Sequence, residues 1–192
     1  MLIFAVLERV AAAAALLILA PGLGVIAVFI ALKSGRFPFV AHQRVGRRGD
    51  RFWMWKLRTM WKTPFRVADE SLPPAKQEND PRVEGSLARW LRQHSIDELP
   101  QLAHVVTGRM SLVGPRPLTR QELDTYYGHS ASELLAARPG LTGLWQVMGR
   151  SRLTYAQRRR LDLFLVRHYC ARLYLRLLWR TIPQVLRGAD AW

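Results

Sequence analysis

The 192-residue sequence predicts a mainly helical α+β fold, on three observations. Val10 to Leu32 carries no charged residue and is long enough for a membrane helix. Two β-prone runs, Phe39–Val45 and Phe52–Leu57, flank a Gly-bounded polar turn, the pattern of a hairpin. From Arg158 to Arg187 apolar side chains recur at three- and four-residue spacing with arginines between them, the pattern of an amphipathic basic helix lying on an anionic bilayer.

Length is that of about one domain and suffices for a sizeable core. A formal charge of +15 is extreme for that size and implies an anionic partner: nucleic acid, an acidic membrane surface or a phosphorylated substrate. Cys170 is the one cysteine, so an intramolecular disulfide and a Cys-based zinc site are both excluded.

The N-terminal segment competes with a cleaved signal peptide, but a basic n-region is nearly missing and apolar sequence resumes after Pro21. In a helix Pro21 deletes the hydrogen bond to the Leu17 carbonyl and bends the axis. Arg9 and the N-terminus precede the segment, whereas Lys33, Arg36, Arg44, Arg47, Arg48 and Arg51 follow it, which places the main body in the cytoplasm. The residues alone favour a span over a helix that enters, bends and returns. The expected division is a membrane helix over 1–35 and a body over 36–192 lying on the membrane surface.

Within the hairpin, alternation puts Lys56 and Arg58 on one face, where two cations repel unless an anion joins them. The polar, Pro-rich stretch from Trp61 to Glu84 reads as a loop bordering a site. Asp80-Pro81 is expected to open a helical stretch through Leu87, Trp90 and Leu91. It leads into Ser95-Ile96-Asp97-Glu98-Leu99-Pro100-Gln101-Leu102, two adjacent carboxylates in an otherwise basic chain, with Arg82, Arg89 and Arg92 before them and Arg109 and Arg116 after. Adjacent acids stay ionised most easily beside a cation or a metal. Ser95 with Glu98 is equally a capping-box pattern.

Leu102 to Val106 reads as a short helix ended by Gly108. In Gly114-Pro115-Arg116-Pro117 two prolines stiffen the loop around a guanidinium suited to bidentate phosphate contact. Glu122 to Ala137 reads as an ordinary surface helix. Pro139 to Arg150 is punctuated by glycines, which let backbone N–H groups approach a ligand.

Taken together these stretches resemble the bacterial sugar transferases of the monotopic phosphoglycosyl transferase family. The matches are Gln43-Arg44-Val45-Gly46, Lys56 to Met60, Asp80-Pro81-Arg82, Leu91-Arg92, Ser95 to Leu102, Met110 to Pro117, Pro139 to Val147 and Gly149-Arg150. They follow in family order over nearly the whole chain. The resemblance implies a re-entrant N-terminal helix broken at Pro21, with both ends cytoplasmic, on the inner membrane of a bacterium. It implies transfer of a phosphosugar from a UDP-sugar to polyprenyl (undecaprenyl) phosphate, with release of UMP, at the start of glycan or exopolysaccharide assembly. Asp97 is then the nucleophile and Glu98 the Mg²⁺ ligand, with Asp97 nearby. Arg92 and Arg116 clamp phosphate, and Lys56, Arg58, Gln146 and Arg150 make further contacts to nucleotide, sugar or carrier. Ala20 replaces the usual serine before the proline, and His104, Arg109 and Tyr174 also depart from the family pattern, as does Ala103. Expected partners are the two substrates and anionic lipids, with a homodimer left open and nucleic acid excluded. The rival from another class is a membrane-tethered nucleic-acid-binding protein, which the charge supports but which leaves the acidic pair and the Pro-Arg-Pro loop without a role. A non-catalytic anchoring paralogue would have no use for the intact Asp97-Glu98-Arg116 set.

Overall fold

The computed structural model of the chain describes residues 2–68, 83, 85–149 and 152–188. It is mainly helical, with two small sheets and a long N-terminal helix, α1 (Leu2–Ser34), that runs on through Pro21. One stripe of α1 faces the body at helical spacing. Ala12, Ala15 and Leu16 pack on Phe52, Met54, Leu102, Val105 and Met110. Further along, Leu23, Ile26, Ala27 and Ile30 pack on Leu57, Leu91 and Ile96. Leu17 to Gly22 stay exposed between these two limbs. The opposite side of α1 presents Val6, Leu7, Val10, Leu17, Ile18, Val25, Val28 and Leu32 to the surroundings, an uninterrupted apolar face.

The hairpin forms as its alternation predicts. Strands β1 (Phe39–Val45) and β2 (Arg51–Leu57) pair antiparallel in a register from Phe39↔Leu57 to Val45↔Arg51. Arg48 takes the left-handed conformation (φ 63°) that the tight connection requires. A two-residue strand β3 (Arg66–Val67) pairs parallel with β1 on its other edge. Phe52 and Met54 point inward, whereas Trp55 points out.

The helix expected to open at Asp80-Pro81 lies there outside the described residues; what is described is α2 (Ser86–Gln93), followed by a 3₁₀ turn (Ile96–Gln101) and α3 (Leu102–Val106). Strand β4 (Ser111–Val113) then pairs parallel with β5 (Gly140–Thr142). Gly114 and Gly140 make that approach possible, since a Cβ on either would collide with the other's backbone. Here, then, Gly140 serves strand contact, where the sequence suggested ligand contact.

Two expectations are corrected. The region Glu122–Ala137 is not one helix: α4 (Arg120–Glu122) carries a Thr119 capping box, a π turn covers Leu123–Tyr127, and after Gly128 (φ 47°) the short α5 (Ala131–Leu134) follows. Its Leu123, Tyr127 and Leu134 are buried in one cluster with Val45 and Leu118, so the segment is interior structure, and the helix is interrupted at Gly128. After α6 (Leu144–Met148), the C-terminal basic stretch is two helices, α7 (Tyr155–Arg167) and α8 (Ala171–Arg187), with a break at His168–Cys170. Leu165 on α7 and Leu177 on α8 enter the same cluster, which one straight helix could not achieve. Leu175, Trp179, Ile182 and Leu186 on α8 are exposed.

Arg58 departs from its expected role. Its side chain is 1% exposed, and its guanidinium donates to the carbonyls of Phe37 (2.8 Å) and Thr63, with Phe39 at 3.5 Å. It ties the exit of α1 to the loop after β2, and burial lowers its pKa. Arg58→Met keeps the stem but leaves those carbonyls without a donor. The expected loss is about 2–4 kcal/mol of stability, read as a lower denaturant midpoint in detergent.

Candidate active site

The acidic pair sits on the 3₁₀ turn between α2 and α3, and local packing sets its direction. With three residues per turn, Ile96 and Leu99 share one side. Ile96 enters the cluster around Leu57 and Leu91, and Leu99 the cluster around Phe52 and Val105. Ser95 enters the turn in the left-handed region (φ 55°, ψ 22°), an uncommon conformation for a non-glycine residue and one that occurs at functional sites. Its side chain makes no capping hydrogen bond, so the capping box is not formed. Glu98 points away to the hairpin, where Lys56 Nζ lies 2.5 Å from its Oε1. Both side chains are mostly covered (11% and 18% exposed), which strengthens the charge-assisted bond over a surface pair. Asp97 is buried at 6% exposure, within one residue of this ion pair. Arg92 stands half-buried in the last turn of α2, just before the turn.

The hairpin is held over this turn by His104, which fills a buried position on α3. Its Nε2 accepts the Trp55 N–H at 3.3 Å, and burial, with Arg109 nearby, pulls its pKa down to about 4. It is therefore neutral at physiological pH, and it adds no charge beside the acids.

A second group forms around the Pro-Arg-Pro loop. Arg116 lies over the Trp145 ring at 5.6 Å, and Arg158 from α7 lies over the same ring at 4.8 Å and over Tyr155 at 5.1 Å. Burial, then the charge of Arg116, lowers the Arg158 pKa. Two guanidinium groups on one indole make a strongly electropositive corner that favours an anion. Tyr155 in turn stacks on Tyr126 at 3.8 Å. Beneath them Asp162 is fully buried and accepts the Tyr127 hydroxyl at 2.8 Å. Burial pushes its carboxyl up to about 7, although Tyr127, Arg116 and Trp145 all pull the other way.

The structure thus brings Lys56, Asp97 and Glu98 together, with Arg92 adjacent in the chain, and gathers Arg116 and Gln146 around Trp145. Gln146 Nε2 donates to the Leu141 carbonyl at 3.3 Å and so braces the run that packs on the loop. Arg58 belongs to the interior, and Arg150 lies outside the described residues. Trp145, Arg158, Tyr127 and Asp162 were not singled out from sequence. An acid placed between Leu161 and Leu163 was the available signal for Asp162, since a lone carboxyl among apolar neighbours is either paired or perturbed. Among the described residues no three His, Cys, Asp or Glu side chains converge as a metal site. Asp97 and Glu98 remain a donor set that suits Mg²⁺, which takes one or two carboxylates and completes its shell with water and substrate phosphate.

The Asp162 carboxyl gives a signed expectation. Its folded pKa lies above the unfolded value, so its contribution favours the fold at low pH and is lost as pH rises from about 4 through about 7. Asp162→Asn should flatten that slope, and in pH-dependent thermal melts its melting temperature should fall less than the parent's between pH 5 and 8.

Comparison with known proteins identifies the family. A family model described as bacterial sugar transferase matches residues 2–188. The exopolysaccharide production protein ExoY of Rhizobium meliloti is 38% identical over 189 residues, covering 93% of this chain and 83% of that protein. The UDP-glucose:undecaprenyl-phosphate glucose-1-phosphate transferase of Caulobacter vibrioides is 38% identical over 195 residues, 97% of this chain and 71% of that protein. The undecaprenyl-phosphate galactose phosphotransferase of Salmonella typhimurium is 37% identical over 188 residues. The chain covers only 39% of the Salmonella protein and 40% of a UDP-galactose-lipid carrier transferase of Erwinia amylovora.

Proposed function

The chain belongs to the bacterial sugar transferase family, and on that footing we propose that it transfers a sugar phosphate from a UDP-sugar to undecaprenyl phosphate at the start of exopolysaccharide or related glycan assembly. The names of the Caulobacter and Salmonella relatives support the carrier and the reaction, and that of ExoY supports the pathway class.

Asp97 attacks the β-phosphorus of the UDP-sugar. A carboxylate O–P bond forms, the bond to the UMP oxygen breaks, and the phosphosugar rests on the enzyme. An oxygen of the polyprenyl phosphate then attacks the same phosphorus and returns Asp97 as a free carboxylate. Covalent catalysis splits one hard displacement into two. The single observation that carries this reading is the Asp97-Glu98 turn, a buried carboxylate beside an ion-paired one on a backbone clamped by two apolar clusters. Lys56 holds Glu98 in place and offsets its charge where an anionic nucleophile must meet a diphosphate. Arg116 is the phosphate clamp, held on a stiff loop and oriented by Trp145. Arg92 supplies positive charge from the end of α2. Mg²⁺ bound by Glu98, with Asp97 adjacent, would neutralise and orient the diphosphate.

The second substrate requires the site to lie at the membrane. An apolar helix of this length, about 50 Å if straight, exceeds the hydrocarbon core of roughly 30 Å. Glu8 near one end and Ile30 near the other are both buried on the same body. A simple span would leave the Glu8 end on the far side from residues it touches. We therefore read α1 as re-entrant, with Pro21 at its turning point and both ends on the cytoplasmic face. Its exposed outer side and the exposed Leu175, Trp179, Ile182 and Leu186 of α8 then meet lipid.

Asp97→Asn should lower UMP release from UDP-sugar by at least about a thousandfold while the protein still partitions with membrane; substantial turnover would remove Asp97 as nucleophile. Radiolabelled donor should mark the parent polypeptide before carrier is added and should leave Asp97→Asn unmarked. EDTA should stop UMP release and Mg²⁺ should restore it; full activity in chelator would overturn the metal role of Glu98.

A further inference from the structure

At the foot of α1 a carboxylate is buried among neutral donors. Glu8 is 8% exposed, and its Oε1 accepts the Ser111 hydroxyl at 2.5 Å, the Leu112 backbone N–H at 2.7 Å and the Tyr174 hydroxyl at 2.6 Å. Phe4, one turn earlier, packs edge-on against the Tyr174 ring with centroids 4.7 Å apart. One side chain thereby joins three elements: the first limb of α1, strand β4 leading into the Pro-Arg-Pro loop, and the amphipathic α8.

We propose that Glu8 is the positioning residue that keeps the first limb of α1 on the same side of the membrane as the body, through its bonds to Ser111, Leu112 and Tyr174. The claim rests on the reading that both ends of α1 are cytoplasmic. Charge does not enforce that arrangement. Arg9 and the N-terminus face Lys33, Arg36, Arg44, Arg47, Arg48 and Arg51 across the apolar run, a bias that fixes the far end and leaves the near end free to cross. The bend does not enforce it either. The helix runs on through Pro21, and Ala20 offers no hydroxyl to the carbonyl that Pro21 leaves without its donor. A specific attachment is needed, and acidic side chains count for little in charge-based orientation, so Glu8 acts through its three bonds and not through its sign. Drawing Glu8 into the bilayer would strip a carboxylate of its three donors, the Ser111 and Tyr174 hydroxyls and the Leu112 N–H.

The test is accessibility of the N-terminus in the full-length protein. In a Cys170→Ser background, Leu2→Cys is probed with a membrane-impermeant maleimide in intact and in lysed spheroplasts, with Asp190→Cys as the cytoplasmic control. The parent should label only after lysis. Adding Glu8→Leu should raise labelling in intact spheroplasts at least about tenfold, whereas Glu8→Gln, which keeps the acceptor oxygen, should stay protected. If Glu8→Leu fails to accumulate, the Ser111→Ala/Tyr174→Phe pair removes two donors and should expose the N-terminus in the same way. A parent that labels from outside overturns the re-entrant reading and this claim together. A protected parent whose Glu8→Leu or double variant is equally protected overturns the claim alone. Sugar-phosphate transfer is measured separately by UMP release, so loss of activity with an unchanged labelling pattern also counts against Glu8 as the determinant of sidedness.

Discussion

The acidic turn is bracketed by two apolar clusters, and α1 contributes to both. Ala12, Ala15 and Leu16 complete the cluster that holds Leu99, and Leu23, Ile26, Ala27 and Ile30 complete the one that holds Ile96. The direction of the Asp97-Glu98 turn is thus set in part by side chains of the long apolar helix. Small residues on the first limb, Ala12 and Ala15, let α1 lie close to the hairpin and α3, which larger side chains would prevent.

Electrostatics explains how a chain of +15 charge accommodates its acids. Lys56 neutralises Glu98 at short range. Asp162 lies deep in the body beside Tyr127 and beneath Arg116, and burial outweighs its hydrogen bond and the nearby cation. Arg116 and Arg158 both lie against the Trp145 ring, at 5.6 and 4.8 Å. His104, in contrast, is kept neutral by burial and serves as a hydrogen-bond acceptor for the hairpin.

Much of the local structure was legible because it depends on neighbours in sequence. The hairpin could be read from alternation, the short helix after the acidic pair from its apolar run and Gly108, and the long apolar helix from an uncharged segment. The bent region after Thr119 could not, because the spacing of Leu123, Tyr127 and Leu134 suits one face of a regular helix, whereas the backbone breaks at Gly128 (φ 47°) and packs all three against Val45 and Leu118. The division of the C-terminal stretch into α7 and α8 has the same cause: Leu165 and Leu177 converge on one cluster.

By itself the sequence determined the presence of an apolar helix, an acidic pair in a basic chain and a proline-stiffened arginine, since these follow from composition and spacing along the chain. Only the tertiary structure decided what each cation does. Lys56 and Arg58 are two residues apart, yet one meets Glu98 and the other is enclosed by the carbonyls of Phe37, Thr63 and Phe39. Likewise Glu8 met Ser111 and Tyr174 only once the chain had folded back on itself. Glu8 and these two partners are 103 and 166 residues apart, and no local periodicity encodes them. Burial and hydrogen-bond satisfaction, which act between distant segments, select them.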